Sequence, residues 1–208
     1  EFRRVLFRSP ACMALVTAPT VPANTPQEFV AWLKQQPSVA YASAAAGSSQ
    51  HVAAELMMKR SGIAATHVPY RGSAAAMPDL MSGRVAFMFD NLPSALPQAR
   101  AGKVKALAQT CATRSPSAPD LPTMEESGFP DFAIEGWYGI FAPARTPRPI
   151  VDLLHRAMVS AVADPTVQQR LAAIGSTPQS STPEAFRERV ARDVERWTSL
   201  ITELNITN

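Results

Sequence analysis

Short apolar runs alternate with stretches whose apolar residues recur at steps of three and four, and this alternation carries through most of the chain. Residues 14–17 read as a strand, followed by a Pro-rich turn. Thr25, Pro26, Gln27 and Glu28 then give an N-cap with proline at the first helical position, opening a helix through Phe29, Trp32 and Leu33. Residues 39–42 read as a strand, 43–48 as a loop of small residues, and 49–60 as a helix with Val52, Leu56 and the Lys59 stem on one face and Gly62 at its end. The next strand is 66–70. After the Arg71-Gly72 turn, Ser73 is placed to cap a helix that turns Met77, Leu80 and Met81 inward before Gly83. Residues 85–89 return as a strand, 93–101 as a helix ending at Gly102, and 104–109 as one more strand. Strand and helix in alternation imply an α/β domain, and the expected sheet is parallel with helical crossovers.

The pattern changes further on. Residues 112–122 are a loop rich in Pro and Ser, and 123–128 read as a short helix ending at Gly128. Residues 132–143, with Trp137, Tyr138 and Phe141, suit an extended strand crossing to another part of the molecule. From Pro147 onward the chain is nearly all helical. Ile150, Leu154, Met158 and Val162 line one face, Asp164-Pro165 starts a second helix that Gly175 closes, and Ser181 with Glu184 has the spacing of a capping box. The last helix carries Phe186, Val190, Val194, Trp197, Ile201 and Leu204 at steps of three and four. Three amphipathic helices need a sheet to cover their apolar faces, and the strands here are too few, so further N-terminal strands are expected.

Composition narrows the function. The chain has 208 residues, 46% hydrophobic and 18% charged, which suits one large or two small globular domains rather than a disordered chain. Its net charge of +3 comes from basic residues interspersed with acidic ones, apart from Arg3, Arg4 and Arg8, so no continuous stripe invites nucleic acid. No apolar run approaches a membrane span. Residues 1–10 lack the apolar stretch and cleavage site of a secretory signal and an initiating Met, and are set aside from the fold as a foreign or misread leader. Cys12 and Cys111 do not sit at metal-ligand spacing, and the three histidines form no zinc motif.

Two constellations carry chemistry. The first runs from Tyr41 to His51, a strand leading through Ser43, Ala46, Gly47, Ser48 and Ser49 into a helix start. Tiny side chains let a ligand approach the backbone, and the unpaired N–H groups and positive dipole end favour an anion such as a carboxylate. The structural alternative, in which Ser48 or Ser49 merely caps the helix, stays open. A nucleophilic serine finds no G-x-S-x-G elbow and no acid to complete a triad with His51; His51 and Glu55 at i and i+4 fall short of a third metal ligand. The second constellation is Tyr70, Arg71 and Gly72 at another strand-to-helix turn, where the Arg71 fork can face a carboxylate. In an open α/β sheet both turns open at the carboxyl edge of the strands, where ligands bind. Asp90 ends a third strand, placed either to meet a ligand or to cap the following helix, as Asn91 also can.

The blocks YASAAAGSSQHVAAEL at 41–56, the segment 67–110, RSPSAPDLPTMEESGFPDF at 114–132 and WYGIFAPARTPRPIV at 137–151, in order, resemble the substrate-binding receptors of tripartite tricarboxylate transporters, the Bug family. The resemblance runs from about residue 11 to the C-terminus. It implies a periplasmic-binding-protein-like (type II) two-lobed α/β fold, with lobe two complete over residues 11–130 and 131–208 as the helical part of a partial lobe one. It also implies a non-catalytic, periplasmic, monomeric protein that captures small carboxylates for a membrane permease, with no cofactor, metal or nucleic acid. Ser43, Ala46, Gly47, Ser48, Ser49, His51, Tyr70, Arg71, Gly72 and Asp90 match the family's pocket-edge positions. The family commonly carries a second glycine where this chain has Ala45-Ala46, and its lobe-one carboxylate loop has no counterpart here. The alternatives are a Ser/His hydrolase of small esters and a fragment of such a receptor without binding activity. By the same resemblance Cys12 and Cys111 lie near the two ends of lobe two and are candidates to pair in an oxidising compartment.

Overall fold

The structure is a computed structural model that describes residues 2–173 and 180–206. In chain order the elements are β1 (Phe2–Ala11), β2 (Met13–Thr17), α1 (Pro26–Leu33), β3 (Ala40–Ser43), α2 (Ser49–Ser61), β4 (Thr66–Pro69), α3 (Ser73–Met81), β5 (Phe87–Asn91), α4 (Leu92–Arg100), β6 (Lys105–Gln109), β7 (Gly136–Pro143), α5 (Arg148–Ala163), α6 (Pro165–Ala173) and α7 (Pro183–Glu203). No helix among the described residues is long and apolar enough to cross a membrane.

The chain divides into two compact units. One comprises Cys12–Glu135 with Ile201–Asn208, the other Glu1–Ala11 with Gly136–Leu200.

The larger unit is built on a five-stranded sheet in the order β4-β3-β5-β2-β6. β3 runs parallel to β4 and to β5, as the alternating pattern predicts. β2 departs from that expectation: it pairs antiparallel with both β5 and β6. Its five residues, Met13 to Thr17, are all buried, so β2 is a central strand covered on both faces. The core centres on Phe87, which meets Phe29 edge-on at 5.2 Å and stacks on Tyr41 at 5.3 Å. Local chemistry explains most helix boundaries. Thr25 accepts the N–H of Glu28, with Pro26 at the first helical position, and Gly62 ends α2. Residues 123–128 are a hydrogen-bonded turn instead of the expected helix. Thr123 and Glu126 exchange capping bonds there, but Pro122 and Gly128 bound a segment too short to propagate.

Cys12 and Cys111 form a disulfide with a Cα separation of 5.3 Å. Beside it, Thr110 accepts the N–H of Met13 at 3.0 Å and donates its hydroxyl to the carbonyl of Ile134 at 2.7 Å. The two ends of the Cys12–Glu135 segment are therefore cross-tied within this unit.

In the smaller unit β1 pairs antiparallel with β7, from Phe2 opposite Pro143 to Ala11 opposite Gly136. Residues 2–10, which the sequence reading set aside from the fold, thus pair as a strand with β7, which has no other strand partner among the described residues. Ala142 and Val151 form a buried cluster with Met158 packed on it, and Phe141 meets Phe186 at 5.4 Å. Ile150, Leu153 and Leu154 of α5 and Val194 of α7 stay exposed. Thr182, rather than Ser181, caps α7 by accepting the N–H of Ala185 at 3.1 Å. Gly175, expected to close the second of the C-terminal helices, lies outside the described residues.

Candidate ligand-binding site

Because β3, β4 and β5 run parallel, the connections that follow them open at one edge of the sheet. The connection after β3 comprises Ala44 to Ser48, that after β4 comprises Tyr70 to Gly72, and β5 passes directly into α4 at Asn91. Backbone bonds tie the first two together: Tyr70 N–H donates to the Ser43 carbonyl and Gly72 N–H to the Ala44 carbonyl, each at 2.9 Å. The two sequence constellations and Asp90 thus meet at one sheet edge.

The β3–α2 loop is exposed at Ala45, Ala46 and Gly47. Gly47 sits at φ 71°, a left-handed conformation that glycine adopts without strain. Ser48 is the N-cap of α2: its hydroxyl donates to the Ala45 carbonyl at 2.7 Å and accepts the N–H of His51 at 3.3 Å. The N–H groups of Ala45, Ala46, Ser49 and Gln50 find no acceptor among the described residues. They stand at the positive end of a 13-residue helix, the electrostatic setting that favours an anion. Gly72, at φ 96°, is the N-cap position of α3, so Ser73 begins the helix instead of capping it. Arg71 is exposed and makes no hydrogen bond or ion pair among the described residues. Tyr70 instead donates its hydroxyl to Asp79 at 2.7 Å, and Asp79 also holds Arg84 at 3.0 Å.

Three of the expected contact residues lie beneath this surface. Ser43 is fully buried; its hydroxyl donates to the Ala45 carbonyl at 2.8 Å and lies 2.6 Å from Nε2 of His67. His51 is 7% exposed, and its Nδ1 accepts the N–H of Gly47 at 3.0 Å. Asp90 is fully buried and accepts from Gln50, Ser73, Ser94 and the N–H of Asn91. These three were expected to meet a ligand; in the structure the Ser43 hydroxyl, Nδ1 of His51 and the Asp90 carboxylate each hold partners within the protein. Burial pushes the Asp90 carboxyl up, against the opposing pull of its four donors.

Below the loop, His51 stacks on His67 with ring centroids 3.7 Å apart, and Tyr41 stacks on His67 at 5.0 Å. Glu55 accepts the Tyr41 hydroxyl and lies 3.7 Å from Nε2 of His51. Desolvation lowers His51, opposed by Glu55; desolvation and then the neighbouring His51 lower His67 to about 4. Both rings are therefore neutral at pH 7. Since the Ser43 hydroxyl hydrogen goes to Ala45, the proton between Ser43 and His67 is assigned to Nε2 of the histidine. That assignment makes His67 a donor toward Ser43, the reverse of a general base, so this pair does not support a hydrolase. His51 and Glu55 gain no third ligand; the one cluster of metal-ligating groups among the described residues is Cys12, Cys111 and Glu135, where the thiols are spent in the disulfide.

A five-stranded α/β unit with helix N-termini gathered at one edge, joined to a second unit by three chain crossings, is the architecture of periplasmic binding proteins. The sequence matches the family described as "Tripartite tricarboxylate transporter family receptor" over residues 3–206, and the chain belongs to that family. Among its relatives is protein BugT of Bordetella pertussis, 36% identical over 192 residues that cover 92% of this chain and 59% of BugT. The periplasmic binding protein BugD superposes with a TM-score of 0.92 at 31% identity, covering 99% of this chain and 70% of BugD. Rpa4515 of R. palustris, solved with adipate, superposes with a TM-score of 0.95 at 30% identity, covering 100% of this chain and 70% of Rpa4515. The chain thus spans a little under 60% of the length of this curated relative.

Proposed function

We propose that this chain is the ligand-holding part of an extracytoplasmic receptor that captures a small carboxylate, leaves it chemically unchanged and presents it to a membrane permease. The observation that carries the reading is the loop exposed at 45–47, with the N–H groups of Ala45, Ala46, Ser49 and Gln50 left without an acceptor among the described residues at the head of α2. A carboxylate can accept two or three of those donors, and the small side chains of Ala45 and Ala46 beside Gly47 leave room for its approach. Arg71, exposed at the neighbouring turn, adds a charged fork on the same sheet edge. The adipate bound by Rpa4515 supports the chemical class. In this reading the Cys12–Glu135 unit is lobe two, residues 136–200 belong to lobe one, and the protein works as a periplasmic monomer. The disulfide suits that oxidising compartment.

Thermal unfolding in the presence of adipate, succinate and citrate tests the proposal. A melting temperature that rises with ligand concentration supports it, by the linkage between binding and stability. Absence of any rise at millimolar ligand counts against carboxylate capture by this chain. Turnover of a small ester abolished by Ser48→Ala would establish the hydrolase reading in its place.

A further inference from the structure

The buried side chain that joins all three sheet-edge connections is Gln50. It is 3% exposed, at the second position of α2. Its Oε1 accepts the N–H of Ala44, in the loop after β3, at 2.7 Å. Its Nε2 donates to the hydroxyl of Ser73, the first residue of α3, at 2.8 Å, and to Oδ1 of Asp90, at the end of β5, at 3.2 Å. Ser73 and Asp90 are bonded to each other as well, and Asp90 continues to Ser94 and the Asn91 N–H at the start of α4. One carboxamide therefore links the heads of α2, α3 and α4.

We propose that Gln50 is the positioning residue of the ligand site, setting the spacing of these three helix heads so that the loop amides and Arg71 address one ligand together. This rests on the carboxylate-binding reading of the same loops. The chemistry demands a carboxamide, because the position needs an acceptor toward Ala44 and two donors toward Ser73 and Asp90, and no other side chain of that length supplies both. A carboxylate there keeps the acceptor but sets a second acid against Asp90; an apolar isostere loses all three bonds and leaves the buried Asp90 short of a donor. Gln50 itself touches no ligand, and its effect is transmitted through Ala44 and Asp90.

The test uses the 208-residue chain, nitrogen-15 labelled, as wild type, Gln50→Leu and Gln50→Glu. In Gln50→Leu the Ala44 amide should exchange with solvent at least tenfold faster, and amide resonances should shift in all three segments, 44–49, 71–75 and 90–94. Adipate affinity, measured by calorimetry, should fall tenfold or more. In Gln50→Glu the loss should be large at pH 7 and partly reversed at pH 5, where a proton shared by the two carboxyls restores a donor, relative to wild type at the same pH. Shifts confined to α2, with affinity within twofold of wild type, would overturn the proposal. If Gln50→Leu fails to fold, the pH-dependent recovery of Gln50→Glu decides. If wild type itself does not bind adipate, the carboxylate reading fails, and the amide shifts and exchange still decide whether Gln50 positions the three helix heads.

Discussion

Acid should weaken this protein through a pair of histidines beneath the loop. His67 stacks on His51 and on Tyr41, points Nε2 at Ser43, and lies in a pocket that also holds Glu55. Its folded pKa of about 4 lies below the unfolded value of 6.5, so between those limits the unfolded chain binds a proton that the folded chain refuses. The stabilising difference is complete above about pH 6.5 and is lost as the pH falls toward 4. At 1.36 kcal/mol per pH unit that interval has a ceiling near 3 kcal/mol, and partial exposure of the ring reduces the expectation to about 2 kcal/mol. His51 is lowered as well and adds in the same direction. Urea unfolding at pH 7.5 and 4.5 should show wild type losing about 2 kcal/mol more than His67→Gln, whose amide keeps a donor for Ser43 but does not titrate. The carboxyls of Asp79, Glu126 and Asp164, all lowered by their hydrogen bonds, lose stability in acid too, but equally in both proteins. Parallel losses in the two proteins would refute the argument.

Other consequences are open to direct measurement. Replacing Cys12 and Cys111 by Ala should cost about 2–5 kcal/mol in denaturant unfolding, given a closed loop of 99 residues, and a loss under about 0.5 kcal/mol would show that the disulfide constrains little. Gly47→Val forces a β-branched residue to φ 71°, which should cost about 1–2 kcal/mol of stability and weaken adipate binding; unchanged calorimetry would remove the loop from the site. Arg71→Ala should leave the melting temperature within about 1 °C, since the side chain is exposed and unpaired among the described residues, while adipate affinity falls about tenfold. Asp90→Asn, by turning an amide donor toward groups that already donate, should destabilise by about 1–3 kcal/mol, and a neutral effect would contradict the network described for it.

Much of this architecture is legible in the sequence because it rests on local signals. The Thr25-Pro26 start of α1, the Gly62 end of α2 and the small-residue run into Ser48 each satisfy backbone groups within a few residues, so pattern and structure agree. The direction of β2 is set by its neighbours across the sheet, and an apolar five-residue run reads the same in either direction. The strand expected at residues 85–89 runs Phe87–Asn91, carried on by pairing with β2, while Ala86 bonds to Ala18 and Ala40 just ahead of it. Ser73 looks like a cap, but the left-handed Gly72 takes that place and frees the hydroxyl for Gln50. The loop at 45–48 and Arg71 are readable as surface groups, whereas the engagement of Ser43, His51 and Asp90 below them depends on partners 16 to 40 residues away, or on backbone that only the fold brings close. Gln50 gave no signal of its own: a glutamine in the first turn of a helix is ordinary until its three partners are known.

The central claim is that a small carboxylate is held by backbone amides at the head of α2. Amide resonances recorded during a titration of the chain with adipate test it residue by residue. Saturable shifts should concentrate at Ala45, Ala46, Ser49 and Gln50, with a smaller set at Arg71 and Gly72, and the adipate should be recovered intact. Saturable shifts elsewhere with these amides unmoved, or consumption of the ligand, would contradict the account.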